Sequence, residues 1–220
     1  MGKKFLPSTS FLLDRIRHGG VEWKDGRFFL LGMRAAIGAY FSNVFLQKLL
    51  EEEIGRKKTM QLFYSHGKFQ AEEGVRIFSK RFGLGRTFED IDKGLNIHIG
   101  QFQFTGTGMF EWVVKDIKRK YFVVRGISPL AEEYALYFHS KGKCIDHFHR
   151  GLMAGFIGET IGEEMFCVEE ECVAHGKPHC TFIIKKKKGF DRKSKAWKDQ
   201  QFGKEIDILA SLSPKRAPIV

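Results

Sequence analysis

The four cysteines constrain the fold more than any other feature of the sequence. Cys144, Cys167, Cys172 and Cys180 all lie within 42 residues that also hold five of the eight histidines. Thiolate and imidazole are the donors that zinc prefers in proteins. A run of three glutamates, Glu169 to Glu171, adds carboxylates to the same segment. The spacing alone leaves two alternatives open, a zinc site or buried free thiols beside surface histidines.

Composition limits what kind of protein this is. The chain has 220 residues, of which 43% are hydrophobic and 29% charged, a balance typical of a globular domain of ordinary size. No apolar run approaches the ~20 residues that a transmembrane helix needs, and the first residues lack the apolar core of a signal peptide. A cytoplasmic location is therefore predicted, where cysteines do not usually form disulfides.

Positive charge is concentrated at the C-terminal end. The formal net charge is +11, and residues 185–220 alone hold eleven Lys or Arg against four acidic residues. We therefore predict an N-terminal segment of residues 1–20, a main domain of residues 21–188, and a basic tail of residues 189–220 that lies apart from the core. Such a tail is either a solvated end or a contact for an acidic or nucleic-acid partner.

Apolar spacing predicts the order of elements. Asp25 and Gly26 form a strong tight-turn pair, which predicts a hairpin over residues 21–31. Apolar residues at three- and four-residue spacing predict helices over residues 37–55, 60–82 and 143–162. A shorter helix is expected to begin at Thr87. Alternating apolar residues predict strands over residues 102–114, 121–124 and 164–184, and the pattern leaves residues 130–138 open between helix and strand.

Small and aromatic residues leave two interpretations open. The predicted helix over residues 143–162 contains Gly151, Gly155 and Gly158, each of which lowers helix propensity by roughly 1 kcal/mol relative to Ala. They are explained if another backbone or a bound molecule lies close. Phe accounts for 22 residues of the chain, which suits either a dense core or the wall of an apolar pocket.

Four segments resemble known protein families. The segment Glu169-x-x-Cys172-x-Ala174-x-Gly176-x-x-x-Cys180-x-Phe182 resembles the motif of the 4-vinyl reductase domain, and Gly151-x-x-x-Gly155 resembles the helix before that motif. Gly26 to Arg34 is similar to the opening hairpin of the sensory domains of XylR-type activators. Tyr64-x-x-Gly67-x-x-x-x-Glu72 is similar to their second helix. The resemblance extends from about residue 21 to residue 184.

The resemblance implies an α/β (α+β) fold with an antiparallel sheet packed against helices, related to the small subunits of TRAPP vesicle-tethering complexes. It also implies a structural zinc whose ligands fall on Cys144, Glu169, Cys172 and Cys180. His147 or His149 is the alternative to Cys144. Glu169 and Cys172 would face opposite sides of a flat strand, so both reach one ion only if the chain bulges between them. Four protein ligands would fill the tetrahedral shell of zinc and leave no open position.

The same resemblance implies a small hydrophobic or amphipathic ligand in a pocket between the helices and the sheet. In the aromatic sensors of this family a His and a Trp bind a phenolic hydroxyl, and those positions fall near His98 and Arg125. An arginine there would favour an anionic ligand. The predicted ligand-binding residues are His98, Arg125, Trp112, Gly155 and Phe156.

These observations support three functions. The chain is predicted to be a stand-alone ligand-binding sensor or carrier that forms a homodimer. The first alternative is a scaffold subunit similar to the tethering-complex proteins, and the second is a tetrapyrrole-handling reductase. No catalytic residue is predicted, because the sequence has no G-x-S-x-G, no H-E-x-x-H and no complete Gly-rich phosphate loop.

Overall fold

A small antiparallel sheet opens the part of the chain that the structure describes. The computed structural model describes residues 14, 18, 20–25, 27–30, 33–35, 40–138, 140 and 142–200. Strands β1 (Val21–Lys24), β2 (Arg27–Leu30) and β3 (Met33–Ala35) pair antiparallel in that order. Lys24 pairs with Arg27 across the turn, so the predicted hairpin is confirmed. Most of the predicted N-terminal segment, residues 1–20, lies outside the described residues.

Six helices follow in the described residues. They are α1 (Tyr40–Glu53), α2 (Arg56–Phe82), α3 (Phe88–Thr105), α4 (Pro129–Tyr137), α5 (His147–Ile161) and α6 (Lys195–Gln200). The Thr87 side chain caps α3 by accepting from the Asp90 main-chain N–H at 3.1 Å, as the sequence predicts. The open segment 130–138 is helical, with Pro129 at its start. None of the helices described is both long and apolar enough to cross a bilayer.

A second sheet of four antiparallel strands supports the helices. Its strands are β4 (Met109–Asp116), β5 (Tyr121–Ile127), β6 (Phe166–Glu171) and β7 (Cys180–Lys185), in the spatial order β4-β5-β7-β6. The main core lies between this sheet and α2, α3 and α5, and includes Leu95, Met153 and Phe182, all fully or almost fully buried. The predicted class, a mixed α+β fold with antiparallel sheets against helices, is confirmed.

The prediction that the central strand starts at residue 102 is wrong. Phe102 and Phe104 belong to the last turns of α3, and β4 begins only at Met109. Phe102 is buried at helical spacing from Leu95 and Ile99, which are also buried. The alternation of Phe102 with Phe104 is therefore a short coincidence inside a helical pattern. Gly106, with φ +74°, ends the helix.

Close contact between α2 and α5 explains two of the three glycines of α5, Gly151 and Gly155. A Cβ atom on Gly151 would clash with the main chain of Tyr64 and Lys68, and one on Gly155 would clash with the main chain of Lys68. A Cβ on Gly67 of α2 would clash with the Phe148 carbonyl oxygen in return. The neighbour is thus another backbone. Gly155 faces α2, which corrects its predicted place in the wall of a ligand pocket.

The segment after residue 188 does not lie apart from the core over its described length. Trp197 is only 7% exposed and stacks on Phe190 at 5.1 Å between ring centroids. Gln200 is 3% exposed. For residues 189–200 the expectation of a separate tail is therefore wrong, because the lysines there are interspersed with side chains that pack. The division of the chain at residue 188 stays a prediction, and residues 201–220 lie outside the described range.

Candidate metal centre and ligand site

Three of the predicted zinc ligands converge at one edge of the larger sheet. Glu169 lies in β6, Cys172 follows that strand directly, and Cys180 is the first residue of β7. One ligating atom from each lies within 4.8 Å of the other two, and all three residues are buried. The antiparallel pairing of β6 and β7 brings the two ends of the motif together.

A bulge in β6 turns Glu169 and Cys172 toward the same side. Glu169 pairs with Phe182 while Glu171 pairs with Thr181, so the register shifts at the residue between them. An extra residue of this kind reverses the alternation of side chains along a strand. The bulge that the sequence predicts between Glu169 and Cys172 is therefore present.

The Cys172 sulfur is the centre of the cluster. Its neighbours Cys144 and then Cys180 have the largest effects on its acidity, and together with the Glu169 carboxyl they lower the pKa of Cys172 to about 3. Cys144, half-buried just before α5, interacts with Cys172. It does not belong to the group of three whose ligating atoms all lie within 4.8 Å of one another.

The surroundings of the Glu169 carboxylate suit a bound cation. Its Oε2 accepts from the Asp146 main-chain N–H at 3.1 Å, whereas its Oε1 is buried with no hydrogen-bond partner. Burial raises the pKa of Glu169 well above its usual range, and the neighbouring Cys172 adds to the effect. A buried oxygen without a partner is costly, and three sulfurs with one carboxylate oxygen are a donor set that zinc accepts. The residues present fit this ion.

The two histidines considered in place of Cys144 lie outside the group of three. His149 Nδ1 lies 2.7 Å from Asp146 Oδ1, and its Nε2 lies 2.8 Å from the Thr107 carbonyl oxygen, so both ring nitrogens have partners. His147 Nδ1 lies 3.1 Å from Arg150 Nη1.

Ser128 Oγ contacts the same nitrogen of His149 that Asp146 does. A Ser–His–Asp triad needs them on opposite nitrogens, so this network is not one.

A second set of polar atoms is buried among aromatic rings. His98 of α3 lies between Phe78 and Phe156, with ring centroids 5.8 and 5.7 Å away. Trp112 of β4 contacts the same Phe156 ring at 6.3 Å. Phe102 packs on Phe156 at 5.8 Å. We call these five side chains the aromatic cluster.

The two nitrogens of this cluster that lack partners have complementary roles. His98 Nε2 and Trp112 Nε1 are both buried without a hydrogen-bond partner. Burial lowers the pKa of His98 to about 4, so the ring is neutral at pH 7. Its Nδ1 lies 3.3 Å from Gln101 Oε1, to which it donates, and this leaves Nε2 as an acceptor. Trp112 Nε1–H is a donor, so the cluster offers one acceptor and one donor.

Arg125 is not part of this cluster. Its guanidinium donates to Glu111 Oε1 at 3.0 Å across β4 and β5, and its side chain is 45% exposed. Val124 beside it is fully buried, because neighbouring residues of a strand point to opposite faces. The structure therefore places Arg125 on the outer face of the sheet, which corrects the predicted inward position.

A cleft opens one helical turn from the aromatic cluster. It has a volume of about 230 Å³ and is lined by Val75 and Ser79 of α2, Gly94 of α3 and Thr160 of α5, together with charged side chains at its rim. Gly94 precedes His98 by four residues and Thr160 follows Phe156 by four residues, one turn in each helix. The same three helices thus border the cleft and the cluster.

Comparison with known proteins identifies the fold. No family model matches the sequence, and no curated protein matches it. Among solved structures, the chain is similar to the phenol-responsive sensory domain of the transcription activator PoxR with phenol, at a TM-score of 0.71 and 15% identity over 92% of this chain and 100% of that chain.

Two further similarities are weaker. A vinyl-4-reductase family protein from Methanocaldococcus jannaschii matches with a TM-score of 0.42 and 20% identity, over 69% of this chain and 82% of that one. A trafficking protein particle complex subunit 3 from Naegleria fowleri, covalently bound to palmitic acid, matches with a TM-score of 0.45 and 11% identity. The match covers 66% of this chain and 93% of that one. The three are the kinds of protein that the sequence motifs resemble. The chain has the fold of the PoxR sensory domain.

Proposed function

We propose that this domain binds a small, largely apolar molecule that carries a hydroxyl group, and acts as a sensor or carrier of it. The observation that supports this most directly is the pair of buried nitrogens without partners, His98 Nε2 and Trp112 Nε1. A hydroxyl group donates one hydrogen bond and accepts another. A hydroxyl group placed between the two nitrogens would therefore satisfy both, whereas a carboxylate, which only accepts, would satisfy one.

The surroundings of these nitrogens favour an aromatic ligand. Phe78, Phe102 and Phe156 supply ring faces and edges on three helices, and such rings prefer other aromatic rings at offset or edge-to-face geometry. Arg125 lies on the outer face, so the sequence-based preference for an anionic ligand has no support here. The similarity to a sensory domain solved with phenol makes phenol a suitable probe.

We also propose that Cys144, Glu169, Cys172 and Cys180 hold one structural zinc. The support is the orphan oxygen of Glu169 and the convergence of the donors. Four protein ligands leave no open coordination position. The zinc would tie the start of α5 to the ends of β6 and β7, and its chemistry would be that of a cross-link.

Replacing Trp112 by Phe should weaken phenol binding without destabilising the protein. The variant keeps an aromatic ring against Phe156 but removes the buried Nε1–H. Loss of a neutral hydrogen bond of about 1 kcal/mol corresponds to roughly a fivefold weaker affinity for phenol. The ligand-free protein should be as stable as the wild type or more so, because an unsatisfied donor is gone. Isothermal titration calorimetry and thermal denaturation measure the two effects.

Benzene and Arg125→Ala are the controls for that experiment. Benzene has no hydroxyl, so its affinity should be the same in wild type and Trp112→Phe. Arg125→Ala, on the outer face, should bind phenol as the wild type does. Because the pKa of His98 is lowered to about 4, phenol affinity should not change between pH 6 and pH 8. Equal losses for phenol and benzene would contradict the proposed role of Trp112.

A second candidate function is a subunit of an assembly, and one surface favours it. Five large apolar side chains are about half exposed or more on adjoining faces of α1 and α4: Phe45, Leu46, Leu49, Leu136 and Tyr137. We call them the α1–α4 face. Contiguous exposed apolar side chains mark interaction surfaces. Lys48 and Glu52, paired at 3.0 Å, place both signs of charge at this face, so it is complementary to a second copy of itself.

Replacing Leu49 by Lys should therefore convert a dimer to a monomer. In a symmetric dimer, Leu49→Lys places two lysines in the contact, one from each copy. Neither lysine has an acidic partner at the centre of the apolar face. Phe88→Lys is the matched control, since Phe88 is 59% exposed on α3, away from the α1–α4 face. Light scattering after gel filtration measures the mass of each variant. A wild type that is monomeric at high concentration would overturn the dimer.

A further inference from the structure

Gln200, at the end of α6, makes a paired hydrogen bond with one main-chain residue. Its Nε2 donates to the Glu169 carbonyl oxygen at 2.5 Å, and its Oε1 accepts from the Glu169 N–H at 2.9 Å. Gln200 is almost fully buried. Both polar groups of its side chain are thus used on the residue whose carboxylate belongs to the metal centre.

The position of Glu169 in the sheet gives this contact its importance. β6 is the last strand in the order β4-β5-β7-β6, so none of the strands described pairs with its outer edge. The bulge of β6 lies just beyond Glu169, where ladder hydrogen bonds are interrupted. The Gln200 amide replaces the missing neighbour and holds the main chain of Glu169 in place.

Arg150 extends the same support. It is a fully buried arginine of α5, and its Nε and Nη2 donate to the Cys167 carbonyl oxygen at 3.2 and 3.1 Å. Its Nη2 also donates to the Gln200 carbonyl oxygen at 3.1 Å. Cys167 precedes Glu169 by two residues and lies on the same strand edge. One guanidinium therefore ties the metal-bearing strand to both α5 and α6.

We propose that Gln200 is a positioning residue for the Glu169 carboxylate, so that the segment of residues 189–200 is part of the metal centre. The proposal rests on the zinc site described above. Groups that hydrogen-bond to a ligand residue orient it, and their loss commonly lowers metal affinity 10- to 100-fold. Gln200 acts on the main chain of Glu169, which sets where the carboxylate can point.

The test is the variant Gln200→Met in the full chain. The methionine side chain is similar in size to glutamine but makes neither hydrogen bond. Competition with a chromophoric zinc chelator should show affinity at least about tenfold weaker than wild type. With Co²⁺ in place of zinc, the visible absorption bands should shift, because they report the geometry of the ligands. Asp199→Ala, an exposed neighbour on α6, should match the wild type in both measurements.

A second control separates positioning from general destabilisation. Val75→Ala removes buried core volume on α2 and should lower the melting temperature without changing the cobalt spectrum. If Gln200→Met does not fold, Gln200→Asn, which keeps a shorter amide, undergoes the same measurements. A wild-type cobalt spectrum and zinc affinity in the Gln200 variant would overturn the positioning role alone. Absence of zinc from the wild-type protein would overturn both it and the zinc site.

Discussion

Replacing Cys172 by Ser is expected to remove the metal and to destabilise the chain more than any other single change considered. The Cys172 sulfur contacts Cys144, Cys180 and Glu169, so its loss breaks the centre of the cluster. Serine retains the shape but offers a hydroxyl in place of a thiolate, which zinc ligation requires here. Without a cation, the buried Glu169 side chain would take up a proton, because burial raises its pKa.

The expected magnitude follows from the lost metal. Removing one partner from a buried ionic site costs about 3–5 kcal/mol, and metal binding in such sites contributes directly to folding. Zinc measured by native mass spectrometry should fall from about one per chain to nearly none. The free energy of unfolding, from denaturant titration, should fall by at least about 3 kcal/mol.

Cys167→Ala is the matched control for the zinc prediction. Cys167 is as buried as Cys172 but lies outside the group of converging donors. Burial raises the pKa of its thiol far above the usual range, so it stays a neutral core side chain. The control should keep its zinc. A Cys172→Ser protein with a full complement of zinc would show that the cluster is not the metal site.

The second large effect concerns the contact between α2 and α5. Gly151→Ala places a methyl group against the main chain of Tyr64 and Lys68. Backbone atoms cannot turn aside as a flexible side chain can, so the two helices must separate. Overpacking of this kind costs about 1–3 kcal/mol, and occasionally more. We expect a loss near the upper end, because several main-chain atoms lie within 3.0 Å of the added carbon.

Gly74→Ala on α2 is expected to have the opposite effect on stability. No atom lies within 4 Å of a Cβ built on Gly74, so alanine there gains helix propensity of up to about 1 kcal/mol without a clash. Thermal denaturation should therefore show a lower melting temperature for Gly151→Ala and an equal or higher one for Gly74→Ala. If both variants were equally stable, the helices would not be in the close contact described.

The parts of the fold that local sequence controls were predictable. The hairpin at residues 21–30 follows from Asp25 and Gly26, and α5 follows from apolar residues at helical spacing. The zinc ligands were implied by the resemblance to the 4-vinyl reductase motif, because the cysteine spacing alone left a zinc site and buried free thiols both open. Glu169, Cys172 and Cys180 lie within 12 residues, so a strand, a bulge and a turn are enough to bring them together. Turn chemistry and periodicity depend on near neighbours, which the sequence displays directly.

Contacts between distant segments were not predictable in this way. The resemblance to the aromatic sensors implied that Arg125 faces a pocket, but the pairing of β4 with β5 turns it outward toward Glu111. Gly151 and Gly155 could equally have faced a ligand, and only the position of α2 decides that they face a helix. Each outcome depends on which face of an element is covered, and that is set by the packing of the whole chain.

Gln200 shows most clearly what the sequence determined and what the tertiary structure decided. The sequence determined the chemistry: two thiols and an acid in one motif with a further thiol at Cys144, a supply of phenylalanine, and a basic C-terminal stretch. Nothing in it indicated that an amide 31 residues after Glu169 would complete the edge of β6. A hydrogen bond between residues so far apart in the chain leaves no periodic pattern in the sequence. It forms because β6 is the edge strand among those described, and a strand becomes an edge only when the sheet is assembled.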